Sequence, residues 1–232
     1  MKKTPPPANC HKGHRENVRH RFMTGGLEVF ASHEILELLL FYSIPQKDTN
    51  PLAHKLMDTY GSLFRVMSSP VEELMAIEGI GERSAVLLSL VFQIGRWIRL
   101  EQLKEQGIDF FSVNSAGAYC KEMFFGQHSE MTYELCLNQR GNLIICHCMA
   151  NGNIVSVSTD IRTLVANAVL SHAHSVLLTH NHPGGTAAPS QEDYAATRCI
   201  EEALSKVDIR LQDHIIIGEN DMVSMREIGF LH

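Results

Sequence analysis

Residues 175–193 constrain this chain more than any other stretch. The apolar run Ser175-Val176-Leu177-Leu178-Thr179 has strand character and is followed at once by His180-Asn181-His182, then Pro183-Gly184-Gly185, then Pro189-Ser190-Gln191-Glu192-Asp193. Side chains at i and i+2 of a strand project from the same face, so two imidazoles leaving it together can share one ion. The Pro-Gly-Gly segment permits a sharp reversal, and Pro189-Ser190 reads as the entry to a helix with Asp193 in its first turn. The turn thereby returns a carboxylate toward both imidazoles. Two neutral imidazoles and one carboxylate suit Zn²⁺, and a tetrahedral ion with three protein ligands keeps its fourth position for water. The spacing Ser190-x-x-Asp193 equally fits a capping box, in which the acid serves backbone donors instead of a metal.

The rest of the chain frames this segment. At 232 residues and 44% hydrophobic content it has enough apolar material for one large domain or two small ones. The opening residues are basic, but no apolar h-region or small-residue cleavage site follows, so the sequence predicts a cytoplasmic protein. The longest apolar run, Leu38 to Tyr42, falls far short of the roughly 18 residues of a membrane span, and no membrane partner is expected. The six cysteines are dispersed and read as reduced thiols. The net charge of −6 is unevenly spread, with 13 basic and 12 acidic side chains over 1–108 but 7 and 14 over 109–232. An acidic second half is a poor surface for phosphate.

Three regions follow from the patterning. Residues 1–24, with six Lys/Arg against Glu16 alone, read as a basic flexible tail that could touch nucleic acid. Residues 25–107 carry apolar positions at helical spacing, as in Ile35-Leu36-Leu39-Leu40 and Leu63-Val66-Met67, broken at Pro45, Pro51, Gly61 and Pro70. This predicts a small all-α domain, with Ser32, Asp48 or Thr49, and Ser69 as caps and Arg99 to Gly107 as a linker. Within it, two helices joined by Gly79-Ile80-Gly81 resemble a helix-hairpin-helix. Its glycines and amides can face a nucleic-acid phosphate, with Arg83 as the nearby cation, although Glu78 and Glu82 oppose that contact. From Asp109 the pattern turns to mixed α/β. A helix is expected over Ser115 to Phe124, and a hairpin of strands Thr132 to Leu137 and Leu143 to Met149. A strand near Ile154 to Val157 and a helix from Ile161 to about Ser171 precede the histidine-bearing strand. A helix from Ser190 to Ser205 and strands at 215–217 and 222–224 close the domain.

A zinc-activated water needs a partner that moves its proton. Glu130 precedes the strand that could lie beside the ligand strand, though spacing alone does not choose it over Glu134, Glu192 or Glu201. The run His180-x-His182, seven residues, Ser190, two residues, Asp193 is similar to the JAMM (MPN+) metalloprotease motif. The surrounding sequence more narrowly resembles the bacterial RadC family, through His180-Asn181-His182-Pro183, Pro189-Ser190, Asp213-His214-Ile215-Ile216-Ile217-Gly218, Arg162 and the hairpin at Gly79-Ile80-Gly81. The chain departs from the pattern at Gly184, where many members have Pro-Ser-Gly after the second histidine.

The resemblance implies a JAMM/MPN (cytidine deaminase-like) α/β domain over 109–232, a mixed sheet flanked by helices, behind the all-α helix-hairpin-helix domain. It also implies Zn²⁺ held by His180, His182 and Asp193, with Glu130 as acid/base and Ser190 stabilising the oxyanion or capping its helix. The implied reaction is hydrolysis of a peptide or isopeptide bond in a peptide or modified-protein substrate. The competing reading is a DNA-associated accessory protein that uses Gly79, Gly81, Arg83 and the basic arm and keeps a structural or vestigial metal site. Other histidines read as less telling. His172-Ala173-His174 lacks an acid at the matching distance, and its first member ends a helix, where i and i+2 diverge by about 200°. Cys146-His147-Cys148 splits across two strand faces, and Cys10, His11 and His14 belong to the tail. His214 is either a support for a metal ligand or a satisfied buried histidine.

Overall fold

The computed structural model describes residues 10–151 and 157–231. The chain divides into two compact units, Met1–Gly95 and Arg96–His232. Among the described residues no helix is long and apolar enough to cross a membrane.

The first unit is helical: α1 (Cys10–Gly25), α2 (Ser32–Ser43), α3 (Asn50–Tyr60), α4 (Leu63–Ser68), α5 (Val71–Met75) and the start of α6 (Glu82–Gln106). The predicted breakers act as expected. Pro51 sits in the first turn of α3, Gly61 ends that helix at φ +79°, and Pro70 precedes α5. Thr49 stands at the N-terminal boundary of α3, whereas Ser32 lies inside α2 and Ser69 closes α4. The cap not foreseen is Ser62, whose hydroxyl accepts from the Arg65 amide at 3.2 Å. Leu36, Leu40, Leu56, Val66, Leu74 and Leu88 form the core of this unit. Ile80, buried in the turn between α5 and α6, joins them, and Gly79 adopts φ +101° to make that turn.

Two boundaries differ from the sequence expectation. The basic arm is a helix from Cys10 onward, not a solvated tail through residue 24. Its Val18 is buried against Leu38 and Phe41. Two of its cations are engaged: Arg15 reaches the carbonyls of Phe41, Ile44 and Lys47, and Arg21 pairs with Glu34 at 2.8 Å. The side chains of Cys10 and His11 lie outside the described residues, while His14 bonds the buried Glu37 at 2.9 Å. The expected linker Arg99 to Gly107 is the end of the 25-residue helix α6, and its Leu100 and Leu103 pack into the core of the second unit.

The second unit holds a five-stranded mixed sheet in the order β2-β1-β3-β4-β5. Its strands are β1 (Met131–Leu137), β2 (Leu143–Asn151), β3 (Ser175–Asn181), β4 (Arg210–Ile217) and β5 (Met222–Ser224), and its helices are α7 (Val113–Phe124), α8 (Val157–Leu170) and α9 (Gln191–Ser205). Of the strand expected near Ile154, residues 154–156 lie outside the described residues and Val157 begins α8. β3 runs antiparallel to β1 and parallel to β4 and is buried along its whole length. Alternation sends Leu177 with Leu135 and Ile215 into a core under α7. It sends Val176 and Leu178 with Cys136 and Ile216 into a core under α8 and α9. Each fully buried leucine stabilises the unit by about 1.5–3 kcal/mol, so β3 is held from both sides.

Candidate metal centre

The second face of β3 carries His180 toward α9, and His182 follows immediately after the strand. The loop leaving it is pinned at three points. The His182 amide donates to Ile217 O at 2.8 Å, the Glu219 amide to Gly185 O at 2.9 Å, and the Ala187 amide to Asp221 Oδ1 at 2.9 Å. Gly184 takes φ +68°, a left-handed conformation that glycine adopts readily and side chains with a Cβ rarely do. The chain then enters α9 with Ser190 as its N-cap.

This route brings three acceptor groups together. His180 Nε2 lies 2.9 Å from His182 Nε2 and 3.2 Å from Asp193 Oδ1, and His182 Nε2 lies 3.6 Å from Asp193 Oδ2. Four ligands at about 2.1 Å in a tetrahedron stand about 3.4 Å apart, and the three observed separations bracket that value. His182 Nδ1 contacts Thr186 O at 2.9 Å, and because a carbonyl only accepts, this nitrogen carries the proton and Nε2 keeps a lone pair. A lone pair and a carboxylate directed at one point, with little water around them, call for a cation. Among the described residues, Glu130, His180 and His182 form the one group whose ligand-type atoms all lie within 4.8 Å of one another. Asp193 is not in that group, although its two oxygens approach the same two imidazoles at 3.2 and 3.6 Å.

Capping and convergence are compatible at Asp193. Its Oδ2 accepts from the Ser190 amide at 2.7 Å and the Ser190 hydroxyl at 2.7 Å, while the Asp193 amide donates back to Ser190 Oγ at 3.1 Å. Oδ1 remains on the His180 side. Burial pushes the Asp193 carboxyl up, but the neighbouring His180 ring and the hydrogen bonds from Ser190 outweigh it and hold the group below the usual carboxylate range. Ser190 thus directs its hydroxyl hydrogen at Asp193 rather than into open space.

The other histidine and cysteine clusters stand elsewhere. His172 ends the turn after α8 at φ +52°, and both His172 and His174 are exposed. Cys146, His147 and Cys148 lie on β2 in register with Leu135, Glu134 and Tyr133. Arg162 is exposed on α8. His214 is buried on β4 and touches the site directly, its Nε2 2.8 Å from His180 Nδ1. Burial holds it well below the ordinary imidazole range, so it is neutral.

Comparison with known proteins identifies the family. The family model described as RadC-like JAB domain matches residues 110–230. A UPF0758 protein of Ruegeria pomeroyi is 34% identical over 221 residues, covering 95% of this chain and 98% of its own length. The chain belongs to the RadC family. Further relatives share the UPF0758 name. One from Rhodobacter capsulatus is 32% identical over 214 residues, covering 92% of this chain and 100% of its own, and one from Neisseria meningitidis serogroup B is 32% identical over 216 residues, covering 93% and 96%. The RadC-like JAB domain begins within the second unit and includes every residue of the centre.

One side chain of this RadC-family chain, Thr197, escaped the sequence reading, and Glu134, an alternative to Glu130 in that reading, has a setting of its own. Thr197 lies one helical turn beyond Asp193, and its Oγ1 is 2.6 Å from both Asp193 O and His214 Nδ1. The i+4 spacing from Asp193 was the available signal. Glu134 is fully buried on the same sheet face, accepting from Asn167 Nδ2 at 3.0 Å, and burial raises its carboxyl to about 7.

Proposed function

We propose that the second unit is a zinc-dependent hydrolase of amide bonds, acting on peptide or isopeptide linkages, with His180, His182 and Asp193 as the metal ligands and Glu130 as the acid/base. The observation that carries this reading is the convergence of two imidazole nitrogens and a carboxylate within 3.6 Å, with a second carboxylate alongside. The RadC-like JAB domain supports the same class of chemistry. Zinc in such a site supplies a water whose pKa falls to about 7, which opens attack on a carbonyl at neutral pH. Glu130 takes the proton released in that attack and returns it to the leaving amine. Ser190 donates its hydroxyl to the developing oxyanion by turning from Asp193, whose Oδ2 keeps the Ser190 amide. The helical unit, read as a helix-hairpin-helix, serves recognition.

Metal analysis and peptide hydrolysis of the wild type, His182→Ala and Glu130→Gln test this reading. One zinc per chain in the wild type and in Glu130→Gln, none in His182→Ala, and hydrolysis by the wild type alone is the expected pattern. A metal-free wild type, or undiminished hydrolysis by Glu130→Gln, rejects it.

A second reading places DNA on the hairpin, favoured by the open space around Gly81 and the exposure of Arg83. Against it, Arg15 and Arg21 are engaged within the helical unit. Salt-dependent DNA binding that disappears in Arg83→Ala is its signature.

A further inference from the structure

The metal reading requires His180 to present a lone pair, and an imidazole with one proton can carry it on either nitrogen. A chain of buried hydrogen bonds decides which. It begins at Asp193 O, a backbone carbonyl that can only accept. Thr197 Oγ1 lies 2.6 Å from it and has a single hydrogen, so that hydrogen is committed there. The hydroxyl can then only accept from His214 Nδ1, also at 2.6 Å, which places the ring proton of His214 on Nδ1. His214 Nε2 is consequently an acceptor, and the donor facing it at 2.8 Å is His180 Nδ1. Each link has one solution. The last leaves His180 Nε2 unprotonated, 2.9 Å from His182 Nε2 and 3.2 Å from Asp193 Oδ1.

We infer that Thr197 and His214 are positioning residues that lock His180 in its metal-binding tautomer. The lock closes on itself. Thr197 and Asp193 belong to successive turns of α9, so one hydroxyl ties the carboxylate-bearing helix to the histidine-bearing strand through His214 on β4. His180, Thr197 and His214 are all inaccessible to solvent, so water does not substitute for a missing partner. Thr197→Val keeps the shape and removes the hydroxyl. His214 Nδ1–H then has no acceptor, which favours the other tautomer; Nε2–H donates to His180 Nδ1, and His180 Nε2 takes the proton that excludes a metal. Outer partners of metal-ligating histidines typically influence affinity by 10–100-fold.

The inference rests on the metal reading, and the experiment separates the two. Zinc affinity is measured on the full chain by competition with a chromophoric chelator for the wild type, Thr197→Val and Thr197→Ser. In parallel, the histidine tautomers of the zinc-free wild type are read by long-range ¹H–¹⁵N NMR. The expected results are an affinity loss of 10–100-fold in Thr197→Val, recovery to within a few-fold in Thr197→Ser, and an Nδ1–H pattern for His180 and His214 in the wild type. Equal zinc affinity in Thr197→Val and the wild type, or an Nε2–H pattern for His180 in the zinc-free wild type, overturns the relay. A wild type that binds no zinc removes the metal reading, and the tautomer spectrum still decides the relay without any variant.

Discussion

Glu134 offers the sharpest test of how this unit is held together, because among the described residues its carboxyl has no cation beside it. It is fully buried in β1, and its hydrogen-bonding neighbours are Asn167 Nδ2 at 3.0 Å and Cys136 Sγ at 3.7 Å. Burial raises its pKa to about 7 from an ordinary 4.5. At about 1.4 kcal/mol per unit, that difference corresponds to roughly 3 kcal/mol of preference for the neutral form in the folded state. Below pH 4.5 both states are protonated and no penalty arises. Between 4.5 and 7 only the unfolded chain ionises, so stability falls as pH rises, and above 7 the full penalty persists. Glu134→Gln keeps the shape and an acceptor for Asn167 while deleting the ionisation. The variant should match the wild type at pH 4.5 and exceed it by up to about 3 kcal/mol at pH 8. For a unit of this size that is roughly 10 °C in Tm. Urea melts of both proteins with chelator present, followed by circular dichroism from pH 4.5 to 8.5, read the difference directly. A stability gap independent of pH, or a variant less stable throughout, refutes the reasoning.

Other perturbations address the remaining parts. Stripping metal with chelator should lower the melting temperature but leave the second unit folded, since two apolar cores support its sheet; loss of the far-ultraviolet signal at 25 °C would make the metal structural. Arg15→Ala should destabilise the helical unit by about 1–2 kcal/mol, because one guanidinium serves three carbonyls in the last turn of α2 and the connection to α3, and hydrogen exchange of α1 should rise with it. Gly79→Ala should cost on the order of 1–3 kcal/mol in thermal melts, since its φ of +101° is strained for any side chain and the new Cβ would meet Leu52 Cδ1 at 3.2 Å.

The strand-turn-helix around the centre was legible because every part of it is local. Period-two spacing put His180 and His182 on one face, the turn reversed the chain, and the cap placed Asp193. What was not legible depends on contacts between distant segments. α1 contributes one deeply buried apolar side chain, Val18, and docks through cations whose partners are carbonyls and acids 8 to 32 residues away, so its sequence reads as a solvated arm. The boundary at Gly95 lies inside an unbroken helix, where the packing partner changes but the helical pattern does not. Glu134 shows the same limit in the sheet. Met131, Tyr133, Leu135 and Leu137 alternate with Thr132, Glu134 and Cys136, a pattern that ordinarily means one wet face. Here α8 and α9 cover that face, and Glu134 is fully buried beneath them.

The same covering explains why the centre needs residues the motif does not name. A ligand histidine at a wet strand end has its second nitrogen oriented by water. His180 is sealed, so its second nitrogen must be oriented by protein, and the parallel pairing of β3 with β4 puts His214 within reach. His214 is sealed in turn and passes the requirement to Thr197, whose hydroxyl ends it on a backbone carbonyl. Burial of the site and the length of its hydrogen-bond chain are thus one property. A substitution that lets water reach His214, such as Thr197→Gly, should soften the tautomer preference that Thr197→Val reverses, leaving zinc affinity between that of Thr197→Val and the wild type. Affinity in Thr197→Gly below that of Thr197→Val would show that lost packing, not hydrogen-bond direction, governs the site.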